Sequence, residues 1–132
     1  MPWLFLDTHA PGQVRLGWLS EQGPQVAARP VKAHAALTWL AEIWPADPAT
    51  IRGVCVVAGP GSFSSVRSGV LDANLIARWL NVPLIGVTVA EATDEQLPEL
   101  ARHLRSGSGP SPVPYVAPIY DREPNISTPK SL

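Results

Sequence analysis

The chain has 132 residues, and ten Lys and Arg against eleven Asp and Glu leave a formal net charge of −1. That length supports one domain, whose folding would remove roughly two-thirds of the unfolded chain's surface from water. The charge balance argues against direct nucleic-acid binding by this chain alone, because phosphate binding needs clustered positive charge.

A single cysteine, Cys55, excludes an internal disulfide and a four-cysteine metal site, and reads as a small core residue. No apolar run is long enough to span a bilayer. The opening Met1-Pro2-Trp3-Leu4-Phe5-Leu6-Asp7 lacks the basic start of a signal peptide, so a cytoplasmic protein is expected. Five Trp are many for a small domain and call for either a full core or an interface.

Trp3 to Leu6 reads as a strand that ends at Asp7-Thr8, with turn chemistry at Ala10-Pro11-Gly12. Val14, Leu16 and Trp18 alternate with Gln13, Arg15 and Gly17, which predicts a strand with one covered face. Glu21-Gln22-Gly23 reads as a hairpin turn and Gln25 to Ala28 as a short third strand. Ala33 to Trp44 is helical in composition and is closed by Pro45. Val54 to Ala58 suits a strand buried on both faces. After Gly59-Pro60-Gly61-Ser62 comes a long helix from Phe63 to about Asn81. Pro83 to Val87 is another buried strand, and a third helix runs from Val89 toward Leu104 with an interruption before Pro98. Residues 106–112 are a linker by composition, and 113–132 show no apolar period and are read as extended or disordered. Residues 1–105 therefore form a lobe and 106–132 a linker and tail. The fold class is α/β: a mixed five-stranded sheet with helices on both faces and its last two strands parallel.

Helical-wheel positions supply the most useful physical clue. On the long helix Val66, Val70, Ala73, Ala77 and Leu80 share a face that should pack on the sheet. Leu71, Leu75 and Trp79 fall almost opposite. On the first helix Leu37, Leu40, Ala41 and Trp44 share one face, and Ala36, Trp39 and Ile43 lie on another. A lobe this small cannot enclose two helices that are apolar on two faces, so their outer faces should meet another chain, or else the Pro-rich tail folds over them. The expected interface is His34, Ala36, Trp39, Ile43, Arg67, Leu71, Leu75 and Trp79. Arg67 would pair either with the partner or with an acid of this lobe.

The turn Gly59-Pro60-Gly61-Ser62 between strand and helix could present backbone N–H groups to an anion, but it fails the nucleotide-loop patterns. Ser64 stands where a dinucleotide fingerprint needs Gly, no Lys is near, and Pro60 removes one N–H. Nor do its neighbours fit a nucleophile elbow around Ser62. A tight turn with Ser62 or Ser64 as N-cap is the simpler reading. His9, His34 and His103 have no spacing that suggests zinc. Asp7 is expected to satisfy backbone N–H groups at the Thr8-His9-Ala10 turn, and Asp7→Asn to change stability modestly.

The whole segment Gly59, Pro60, Gly61, Ser62, Phe63, Ser64, Ser65, Val66, Arg67, Ser68, Gly69 resembles the signature Gly-Pro-Gly-Ser-Phe-Thr-Gly-x-Arg-x-Gly of the TsaB family, also called YeaZ. Asp7-Thr8, His34, the strand Pro83-Leu84-Ile85-Gly86-Val87-Thr88 and, more weakly, Pro118-Ile119-Tyr120-Asp121-Arg122 are similar to family features in order and spacing. Ser64 stands for Thr and Ser65 for Gly, and a linker stands where members carry a second α/β lobe. The resemblance implies a ribonuclease-H-like lobe of the actin-type ATPases, shortened to the N-terminal lobe. It implies a non-catalytic subunit that needs no cofactor or metal and docks its first two helices on the TsaD-type catalytic subunit of tRNA threonylcarbamoyladenosine modification. A TsaE-type ATPase would join through that complex, and the same helices offer a homodimer interface. The alternative is a small actin-like nucleotide-binding or hydrolytic enzyme using Asp7 and the Gly59–Ser62 turn; a third is an orphaned fragment.

Overall fold

The computed structural model describes residues 1–120. Strands β1 (Trp3–Asp7), β2 (Val14–Ser20) and β3 (Gly23–Arg29) form an antiparallel meander. A single 3-10 turn, Ala33–Ala35, leads into α1 (Ala36–Ile43). Strand β4 (Gly53–Gly59), helix α2 (Phe63–Leu80) and strand β5 (Leu84–Thr88) follow, and α3 (Leu97–Ser106) closes the lobe. The five strands lie in the order β3-β2-β1-β4-β5, with β4 parallel to both β1 and β5.

Two-residue alternation sends the strand side chains into two cores. Leu4, Leu6, Val54, Val56 and Leu84 face α1 and α2, whereas Phe5, Cys55, Val57, Ile85 and Val87 face α3. β1 and β4 are buried along their whole length, which is why they read as continuous apolar runs. The mixed sheet with helices on both faces is as the sequence implies.

Two local expectations are corrected and a third is sharpened. The third helix begins at Leu97, with Pro98 in its first turn, where a missing N–H would be unpaired anyway. The residues from Val89 onward form a separate 3-10 turn at Ala90–Ala92 rather than earlier turns of that helix. The first helix ends at Ile43, and Trp44 is already extended. The segment read as extended or disordered is docked as far as Tyr120. Val113 donates to the Leu84 carbonyl, Ile119 donates to the Ala58 carbonyl, and Val116 is buried in the α1/α2 core. The remainder of the tail, residues 121–132, lies outside the described residues.

Candidate functional site

The outer surface of α1 and α2 carries a contiguous exposed apolar row. Leu71, Leu75 and Trp79 are 56%, 57% and 74% exposed, on the side of α2 opposite Val66, Val70, Ala73 and Ala77, which are all buried. Between the helices runs an open groove of about 410 Å³ lined by Leu37, Leu40, Ala41, Trp44, Ile76 and Trp79. Trp44 and Trp79 stack across it, centroids 6.1 Å apart and planes 20° from parallel.

The α2 half of the expected interface is placed on this surface, and the α1 half is corrected. Ala36 and Trp39 are buried in the core, and Ile43 and Trp44 are half-buried against it; Leu37 and Ala41 face outward instead. The wheel could not decide between these faces. Thr38 and Glu42 mark the polar side of α1, and the point opposite them is Leu40, midway between the two apolar arcs. Size and a neighbour broke the tie. The Arg29 guanidinium of β3 lies 4.4 Å from the Trp39 ring centroid and also pairs with Glu42, which fixes the helix rotation.

His34 is exposed just before α1, beside a pocket that it lines with Lys32, Ser64, Ser65 and Ser68. Arg67 lies over the Phe63 ring at 4.8 Å and makes no ion pair among the described residues.

The glycine turn is a structural junction. Gly59 adopts φ +124°, open to glycine but not to side chains, and a Cβ there would meet the Ile119 carbonyl. The Gly59–Pro60 bond is cis. A Cβ on Gly69 would fall on the Thr8 side chain, so this glycine lets α2 approach the end of β1 closely. Thr8 uses that proximity to donate its hydroxyl to the Ser65 carbonyl at 2.6 Å. Gly61 is equally confined, between Val66 and the His9 backbone. Phe63 packs on Tyr120 with centroids 4.7 Å apart. Ser62 occupies the N-cap position, but its hydroxyl makes no capping bond and is buried without a partner among the described residues; Ser64 is exposed inside the first turn. The expected serine cap is therefore absent.

The Asp7 carboxylate, 2% exposed, is fully engaged. One oxygen accepts from the His9 backbone N–H at 2.9 Å, as expected, and lies 2.7 Å from the His9 Nδ1. The other accepts from Arg15 Nε and a terminal guanidinium nitrogen at 2.9 and 2.7 Å. Arg15 also reaches Asp94 and the Ala92 carbonyl. Sequence reasoning missed Arg15. Its signal is the register, which puts Asp7 and Arg15 directly opposite one another on β1 and β2. With His9, Gln13 and Thr93, Arg15 and Asp94 line an open cavity of about 490 Å³. Among the described residues no group of three or more His, Cys, Asp or Glu is placed to hold a metal.

Burial pushes the Cys55 thiol far up, aided by the charge of Glu91, which keeps it a protonated core group. Burial likewise pushes the Asp72 carboxyl up to about 6. Among the described residues no helix is long and apolar enough to cross a membrane.

A five-stranded mixed sheet with this order, two helices on one face and one on the other, is a single lobe of the ribonuclease-H-like, actin-type fold. Residues 32–103, more than half of the chain, match the family described as TsaD, tRNA N6-adenosine threonylcarbamoyltransferase, and the chain belongs to that family. Its fold is similar to that of YeaZ from Pseudomonas aeruginosa, with a TM-score of 0.55 and 21% identity over 67% of this chain and 45% of the other. A second structure, an uncharacterized protein from Pseudomonas aeruginosa with similarity to peptidase YEAZ, gives a TM-score of 0.56 and 21% identity over 66% of this chain and 43% of the other. The chain thus spans less than half the length of these neighbours. No curated protein matches it.

Proposed function

We propose that this chain is a TsaB-like, non-catalytic docking subunit, which binds a TsaD-type catalytic subunit through the α1/α2 face and supports threonylcarbamoylation of tRNA in the cytoplasm. The observation that carries this reading is the bare row Leu71, Leu75 and Trp79 with the adjoining groove. Contiguous exposed apolar surface of this kind marks an interaction site. The described part of the tail packs beside Asn74 and leaves the row uncovered. The glycine signature and the family match support the identity of the partner. Engagement of Asp7 by Arg15 supports a structural role for the one acid at the end of β1, against the enzyme reading.

The deciding experiment is co-purification with the TsaD-type subunit of the same organism, followed by reconstituted modification of tRNA. Expected is a stable complex that Trp79→Glu abolishes. A lone chain stabilised by ATP, and indifferent to the TsaD-type subunit, would instead favour a nucleotide-binding enzyme. A TsaE-type ATPase enters only through the complex.

A further inference from the structure

Asp72 interrupts the docking face. At about 100° per residue its position on α2 falls between Trp79 and Ile76, two residues that line the groove. The side chain is half-buried and forms no hydrogen bond or ion pair among the described residues. The strand residues under α2, Leu4, Leu6, Val54, Val56 and Leu84, carry no charge. Glu42, the one charged residue of α1, is paired with Arg29. Lys32 and His34 line the next pocket along with Ser68, one helical turn away. On α2 itself Arg67 lies over Phe63, and Arg78 is six residues beyond Asp72. Burial raises the carboxyl, and no cation among the described residues offsets it.

Covering this face with a purely apolar partner would strip the remaining water from an unpaired carboxylate, which is strongly unfavourable. We infer that the partner surface seated on α1 and α2 presents a Lys or Arg side chain to Asp72, so that this acid selects the partner by charge. The inference rests on the docking reading and adds the chemistry of the partner: an apolar surface with one cation opposite Asp72. Pairing would hold Asp72 ionised in the complex, so association should strengthen as pH rises through the region of its titration.

The test measures affinity for the TsaD-type subunit of the same organism by titration calorimetry, with wild type, Asp72→Asn, Asp72→Leu and Trp79→Glu, at pH 8 and pH 5.5. Expected is a loss of about tenfold or more at pH 8 for both Asp72 variants, including the leucine that adds apolar surface. Wild type should bind more weakly at pH 5.5, and Asp72→Asn should remove most of that change even though His34 is retained. Asp72→Leu binding as tightly as wild type, or more tightly, would overturn the inference while leaving the docking reading intact. Wild-type binding by Trp79→Glu would overturn both. So would a stable dimer of this chain that the catalytic subunit fails to dissolve.

Discussion

The two flanks of α2 meet different fates. On one, Asn74 donates to the Val116 carbonyl and accepts from the Val116 N–H, both at 3.0 Å, while Val113 and Ile119 on either side of Val116 bond to the Leu84 and Ala58 carbonyls of the sheet. On the other, Leu71, Leu75 and Trp79 stand in solvent. The difference lies in what each flank can satisfy. An extended segment brings unpaired backbone groups, and Asn74 matches one donor and one acceptor. The Leu71 flank has no side-chain amide to match both a donor and an acceptor, and its Asp72 carboxylate can only accept, so an extended segment laid there would bury unpaired amides. On the proposed docking reading, a helix, whose backbone is already paired, would suit it better.

The largest expected effect tests the bare flank. Trp79→Glu should weaken partner binding at least 100-fold, because an apolar anchor becomes a charge to be buried, while the lone chain keeps its melting temperature within a few degrees. A parallel fall in melting temperature would mean that Trp79 serves the fold and not docking.

Next is the end of β1, where Asp7 meets Arg15 and the neighbouring Thr8 meets α2. Asp7→Asn should destabilise the lobe by about 3 kcal/mol in urea unfolding, since it leaves the largely buried Arg15 without its bidentate partner. This exceeds the modest effect expected from Asp7 as a turn-capping residue alone. Complex formation at a temperature where the variant is folded should survive; its loss would tie Asp7 directly to the partner.

The covered flank is tested by Asn74→Leu, which leaves the Val116 N–H and C=O unpaired. A loss of about 1–3 kcal/mol is expected. Protease cleavage near Tyr115 should accelerate with little change in partner affinity. If affinity falls as far as stability, the two flanks are not independent.

The smallest effect concerns Asp72 in the isolated chain. Its carboxyl is raised in the folded state, so the folded chain binds the proton more readily than the unfolded one, and the resulting penalty is fully present above about pH 6. It fades as pH falls toward the ordinary carboxylate range. Asp72→Asn should therefore raise the melting temperature slightly at pH 8 and lose that advantage near pH 4. Solvent screening of this half-exposed group limits the gain to about a few tenths of a kcal/mol. No difference at any pH would remove Asp72 as a strained group in the free chain.

The sequence by itself determined the strand order of chemistry along the chain. Continuous apolar runs marked β1, β4 and β5, and the 3.6-residue period separated the sheet face of α2 from Leu71, Leu75 and Trp79. Those signals are local, because each depends on residues within one element. The glycine signature was also legible, although not the reason for it. Only the assembled fold shows that Gly69 makes room for Thr8 and Gly59 for Ile119, residues far away along the chain. The rotation of α1, the Arg15–Asp7 pair and the docking of residues 113–120 were decided by tertiary structure for the same reason. α1 is apolar on two arcs and needed Arg29 to choose between them. Arg15 meets Asp7 through strand register, and Val116 finds Asn74 across 42 positions of sequence. Contacts between distant elements have no local period, so no pattern within one segment announces them.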